Sequence, residues 1–139
     1  QKWATQDQAL VVTQHYRIVK TQLGGDNLLE VNNLAADPLA NPNQIIDGAN
    51  WTRTMGWTEH NQVRYATARS VFRWNGNDTV TLGSDVTHVR ILEEDVTTDK
   101  KSWRNRYWVD EDGLIRQSEQ YLGADWFPVK TTLIKAAKS

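Results

Sequence analysis

The chain has 139 residues, 39% hydrophobic and 24% charged, with 16 basic and 17 acidic side chains and a net charge of -1. That balance gives no electrostatic reason to expect a nucleic acid or an anionic membrane surface as partner. No cysteine is present, which excludes disulfides, thiolate metal sites and a cysteine nucleophile.

One domain is expected over residues 1–139, with a frayed tail at 135–139. No apolar run approaches the roughly 18 residues that cross a bilayer as a helix. The chain starts at Gln1. Removal of a signal peptide, a trimmed tag or a chosen boundary would each produce that start, and the reading leans to a secreted or periplasmic protein.

In chain order, Ala9, Val12, Tyr16, Val19 and Leu23 recur at three- and four-residue steps and predict a first helix. Thr5 and Gln8 offer a capping box at its start, and Gly24-Gly25 a stop. Asp26 then caps a second helix carrying Leu28, Leu29, Val31 and Leu34. Two prolines make the stretch from Asp37 to Pro42 irregular, and Asp47-Gly48 is a turn. Trp51, Met55 and Thr58 suggest a short third helix. From about Val63 the runs become β-branched and aromatic, predicting strands over 62–74, 78–94, 101–109 and 114–122. The intervening turns fall at Asn75–Asp78, Thr98–Lys100 and Asp110–Gly113. Helices first and a bent antiparallel sheet last describe an α+β domain.

His15, His60 and His88 lie on three different elements with no paired spacing, so no metal site is expected. Hydrolase elbows, phosphate-cradling loops and dinucleotide fingerprints are absent from the sequence, and no cofactor is expected. The seven tryptophans either fill a core and a dimer face or line a pocket for an apolar ligand. His88 and Arg90 share one face of their strand, pointing both inward or both outward.

The run from Trp103 to Ile115, followed by Gln120-Tyr121-Leu122, resembles the last two strands of nuclear transport factor 2-like domains, and so does the order of elements. The resemblance implies a cone-shaped curved sheet with three N-terminal helices enclosing a pocket. Relatives of that kind include SnoaL-type polyketide cyclases, ketosteroid isomerases and limonene epoxide hydrolases. By resemblance, Tyr16 stands at an oxyanion-hole tyrosine, Asn41 near the catalytic base, Asn105 at a protonated aspartic acid and Gln120 at an acid of the final strand. Amides cannot abstract protons, so His88 or Glu119 becomes the candidate base, Glu119 by way of a strand bulge.

The expected catalytic set is therefore Tyr16, His88, Asn105, Glu119 and Gln120. Asn41, Trp57, Arg90 and Trp103 are expected to hold the ligand, with Arg90 anchoring an anionic group. The function this implies is a cofactor-free acid-base enzyme acting on a small apolar, polyketide- or terpenoid-like ligand. Its isomerase, cyclase, dehydratase and epoxide-hydrolase forms are left open. The alternatives are a non-catalytic ligand-binding or accessory protein, or a dimerisation module, of the same fold. A homodimer is expected, with Trp108 on the outer sheet face as a candidate contact.

Overall fold

Most of the described residues expected to form helices are on strands. In the computed structural model, which describes residues 2–4, 10–22, 25–123 and 129–132, β1 (Lys2–Ala4), β2 (Leu10–Gln14) and β3 (Arg17–Gln22) make a three-stranded antiparallel sheet. A second sheet curls into a half-barrel of seven strands. These are β4 (Asn27–Val31), β5 (Asn50–Glu59), β6 (Gln62–Leu82), β7 (Asp85–Thr97), β8 (Ser102–Asp110), β9 (Ile115–Gln120) and β10 (Val129–Thr132). Each is hydrogen-bonded antiparallel to its neighbour in sequence. Between β4 and β5 lie three 3₁₀ turns, Leu34–Ala36, Pro38–Ala40 and Pro42–Gln44, the last two opened by proline.

Local chemistry explains why the expected helices do not form. Val11, Val12, Thr13, Ile18, Val19 and Thr21 are β-branched and favour a pleated, half-buried surface. The chain reverses between β2 and β3 at His15-Tyr16, whose φ values of 52° and 66° are both left-handed. Two such residues make a tight hairpin whose twist matches that of the strands it joins. His60-Asn61, at 51° and 64°, does the same between β5 and β6. The second expected helix is β4 and the first 3₁₀ turn, and the third is β5. The capping box at Thr5 and Gln8, Ala9 and Leu23 of the first expected helix, Gly24 of its stop, and the tail at 135–139 lie outside the described residues. The three-helix, nuclear transport factor 2-like fold is therefore replaced by an architecture built from sheet.

The expected turn at Asn75–Asp78 is a bulge inside the 21-residue β6, with the register shifting between Trp74 and Asn77 and Gly76 at φ 93°. The chain turns instead at Gly83-Ser84, so the strand expected over 78–94 is the end of β6 plus most of β7. The turns at Thr98–Lys100 and Asp110–Gly113 and the strands β8 and β9 fall where the sequence puts them.

Alternation assigns one face of the sheet to the interior. Trp51, Arg53, Met55 and Trp57 of β5 share it with Ala68, Ser70 and Phe72 of β6. Leu92, Glu94 and Val96 of β7 and Asn105, Tyr107 and Val109 of β8 continue it. Arg17 and Ile18 of β3 reach onto this face, with Ile18 joining the apolar cluster. Ionisable groups are thereby placed in the middle of the core.

Candidate functional site

Glu94, on the interior face of β7, is fully buried. One oxygen, Oε1, accepts from Arg17 Nη1 at 3.0 Å, Asn105 Nδ2 at 3.1 Å and the Tyr107 hydroxyl at 2.7 Å. The other, Oε2, accepts from the Ser70 hydroxyl, which itself accepts from Arg53 Nη1. Arg17 also grips Asp37 with Nε at 2.6 Å and Nη2 at 3.1 Å. Asp37 in turn caps a 3₁₀ turn by accepting from the Leu39 amide. Both guanidinium groups lie over the Trp51 ring, 4.5 and 4.4 Å from its centroid. Two cations and two anions thus balance inside the half-barrel.

Burial alone would raise the Glu94 pKa. The charges of Arg17 and Arg53, with hydrogen bonds from Arg17 and Ser70, overcome that and bring it down to about 2. Burial lowers Arg53 to about 10 and pushes the Tyr107 hydroxyl well above its ordinary value. A general base must exchange its proton near the working pH, and Glu94 holds none there. The cluster fastens β3 and the 3₁₀ segment to the sheet.

A solvent-facing feature lies at one end of the half-barrel. β6 pairs with β7 only from Arg69 onward, so its first residues border the turn between β7 and β8. A cleft of about 80 Å³ opens there among Trp57, Arg64, Tyr65, Lys100, Lys101 and Trp103. Trp57 is buried and anchored, its indole Nε1 donating to the Leu122 carbonyl at 2.6 Å. Tyr65 is 59% exposed, yet its ring lies on Gly56, where an added Cβ would come within 2.6 Å of it. Arg64 pairs with Glu59 at 3.2 Å on the rim. Trp103 lies between the cleft and a void of about 10 Å³ that Arg17, Arg53, Asn105 and Gln120 also line. The buried Trp103 Nε1 and Arg53 Nε have no hydrogen-bond partner among the described residues.

Several residues singled out in the sequence meet at that void. Gln120 receives the Ile18 amide at 2.9 Å and donates to the Tyr16 carbonyl at 2.8 Å, pinning the β2–β3 hairpin to β9. Asn105 donates to Glu94 and accepts from the Tyr121 amide at 2.8 Å. His88 is exposed on β7, away from both residues. Glu119 is on the opposite face of β9 from Gln120, 3.8 Å from Arg106 and 3.9 Å from Lys130, and no bulge turns it inward. Asn41 is exposed between two 3₁₀ turns. Arg90 stacks on Trp74 at 3.8 Å and donates to Asn43 at 3.2 Å. Trp57 and Trp103 both line the cleft. Trp108 is half-buried on the outer face.

Sequence reasoning missed Arg17, Asp37, Arg53, Ser70, Glu94 and Tyr107. The available signal was Arg53, a charged residue in register with Trp51, Met55 and Trp57. Among the described residues no group of three or more His, Asp or Glu side chains could hold a metal ion, and no helix is long and apolar enough to cross a membrane.

A family model described as "Group 4 capsule polysaccharide lipoprotein gfcB, YjbF" matches residues 1–134. The "Uncharacterized lipoprotein YjbF" of Escherichia coli (strain K12) is 75% identical over 138 residues, covering 99% of this chain and 65% of that protein. The "Uncharacterized lipoprotein GfcB" of the same organism is 42% identical over 139 residues, covering 98% of this chain and again 65% of the relative. The chain therefore spans just under two thirds of the length of these relatives. The crystal structure of the hypothetical lipoprotein YmcC from Escherichia coli (K12) superposes with a TM-score of 0.90 at 41% identity, covering 99% of this chain and 72% of that one.

These matches overturn the nuclear transport factor 2-like resemblance and, with it, the SnoaL-type cyclase, isomerase, dehydratase or epoxide-hydrolase reading. The degenerate strand-turn-strand motif from Trp103 to Leu122 belongs to another sheet fold. The expectation is a secreted or periplasmic protein, and relatives named as lipoproteins are consistent with its coarser part, a secreted or envelope-attached protein. Matched along nearly its whole length and 75% identical to one member, the chain belongs to the group 4 capsule polysaccharide lipoprotein family of gfcB and YjbF.

Proposed function

We propose that this chain is the folded, non-catalytic part of a lipid-anchored periplasmic lipoprotein that serves a capsule-type surface polysaccharide system by binding the polysaccharide. The observation that carries this reading is the locked interior. Glu94 and Asp37 are committed to Arg17, so the buried acids of the half-barrel interior are held in ion pairs among the described residues, and Tyr65 and Trp103 line an open cleft. The family description, which names a capsule polysaccharide lipoprotein, and the relatives named as lipoproteins support the polysaccharide and the lipid anchor in this reading.

Native electrophoresis through gels containing purified group 4 capsular polysaccharide tests the binding. Migration is expected to slow as polysaccharide increases, with no shortening of the polymer on incubation. Unchanged mobility at all concentrations would sink the proposal, and depolymerisation would restore an enzymatic reading.

A further inference from the structure

Resting on that reading, we infer that the cleft among Trp57, Tyr65 and Trp103 is a subsite for one pyranose residue of an acidic polysaccharide. Size is the first argument. Pockets that enclose a whole small ligand run to about 300–1,000 Å³, whereas this cleft holds about 80 Å³. It can seat one ring part way, with the rest of the molecule outside. A polymer presents itself in that way.

The chemistry of the lining is the second argument. A pyranose has an apolar face of C–H groups and a polar edge of hydroxyls. Trp103 and the 59% exposed Tyr65 offer aromatic surface to that face. Around the rim, Arg64, Lys100 and Lys101 outnumber Glu59 and Asp99. The excess of positive charge favours a ring bearing a carboxylate, as a uronic acid does.

Preorganisation is the third argument. Trp57 is fixed through its bond to Leu122, Tyr65 rests on Gly56, and the Thr98–Lys101 turn is closed by the Thr98 amide donating to the Lys101 carbonyl at 2.8 Å. Little side-chain entropy remains to be lost when a ring settles between them.

A defined acidic probe, the hyaluronan hexasaccharide, is titrated into ¹⁵N-labelled protein while the tryptophan indole N–H resonances are followed, with neutral maltohexaose as comparison. The Trp103 resonance, assigned by its disappearance in Trp103→Phe, is expected to shift with the acidic sugar and far less with the neutral one. Tyr65→Ala and Trp103→Phe are expected to weaken binding about tenfold or more, whereas Trp108→Phe on the outer face binds as the parent protein does. Thermal midpoints confirm that each variant is folded.

The same variants are run in the capsular polysaccharide gels. Retardation that persists unchanged in Tyr65→Ala and Trp103→Phe, or a hexasaccharide that leaves the Trp103 resonance in place, overturns the subsite and leaves polysaccharide binding standing. Equal affinity for maltohexaose overturns the preference for acid. A parent protein that neither sugar nor polysaccharide affects overturns both readings.

Discussion

Glu93 and Glu94 are consecutive on β7 and almost equally hidden, at 3% and 0% exposure, but they point to opposite faces of the sheet. Glu94 meets Arg17, Ser70, Asn105 and Tyr107, all buried. Glu93 lies on the outer face beneath Arg73 at 3.2 Å, Arg106 at 3.2 Å and Arg104 at 3.7 Å, each of which is 40–52% exposed. It is one rung of a ladder in which Arg73, Glu93, Arg106, Glu119 and Lys130 stand directly opposite one another across five successive strands.

Both carboxylates are held below their ordinary pKa although burial pushes each upward. For Glu94 the charges of two buried arginines overcome burial, whereas for Glu93 hydrogen bonds from Asn75, Arg106 and Arg73 do so. Both carboxylates are nearly closed to solvent, but Glu94 lies deep in the core and Glu93 just beneath exposed arginines, and depth together with the exposure of the partners decides what each interaction is worth. Inside, removing one member strands a charge that water cannot reach. Outside, the arginines return to solvent when their partner is lost.

The largest expected effect therefore belongs to Glu94→Gln, which leaves Arg17 and Arg53 facing a neutral amide. Such a change costs about 3–5 kcal/mol, read as a lower urea midpoint with little change in slope. A cost below about 1 kcal/mol would show that the two arginines find other partners, and the contrast with Glu93 would collapse.

Acid sharpens the same contrast. The folded pKa of Glu94, about 2, lies below its ordinary value of 4.5, so the unfolded chain takes up the proton first. The stability Glu94 supplies is complete above pH 4.5 and falls away as pH drops toward 2. Thermal midpoints of the parent protein are expected to fall through that window, and those of Glu94→Gln to fall less steeply. Parallel curves would mean that other carboxylates carry the acid sensitivity.

On the outer face, Glu93→Gln is expected to cost about 1 kcal/mol. That cost should shrink in about 0.5 M salt, because half-exposed pairs are screened while buried ones are not. Urea midpoints of both variants at low and high salt would show this. A salt-independent cost for Glu93→Gln would place it in the same class as Glu94.

These two regions were unequally legible in the sequence. The β8–β9 hairpin is readable because Asp110–Gly113 is a chemically explicit turn between β-branched and aromatic runs. The first hairpin is not, because its two left-handed positions are His15 and Tyr16 rather than the usual asparagine and glycine. Periodicity adds to the confusion. A four-residue step is one turn of helix and also two periods of strand, so Val12–Tyr16 and Trp51–Met55 fit both patterns. Arg53 and Trp57, which share the buried face with Trp51 and Met55, settle the matter for the strand, and a charged Arg53 obscured it.

The interior cluster was illegible for another reason. Arg17 and Glu94 are 77 residues apart and meet only through the sheet register. Trp57 and Trp103 could be singled out as ligand-facing because tryptophan can line a pocket for an apolar ligand, but the pocket expected around them belonged to a different fold.

The smallest expected effect tests whether the outer ladder acts as a unit. Lys130, its last rung, is 74% exposed and 3.9 Å from Glu119, so Lys130→Ala on its own is expected to change stability by less than about 0.5 kcal/mol. Arg106 is different because it stands between Glu93 and Glu119 and serves both, at 3.2 and 3.8 Å. A double-mutant cycle of Arg106 with Glu119 is expected to give a coupling of about 0.5 kcal/mol, and one of Arg17 with Glu94 several times that. If removing Lys130 changes the Arg106–Glu119 coupling, charge alternation is transmitted from strand to strand and the ladder is one cooperative element. If that coupling is unchanged, the rungs are independent pairs, and the ladder's contribution is to strand register, since a one-residue slip of any strand would take its charge off the shared face.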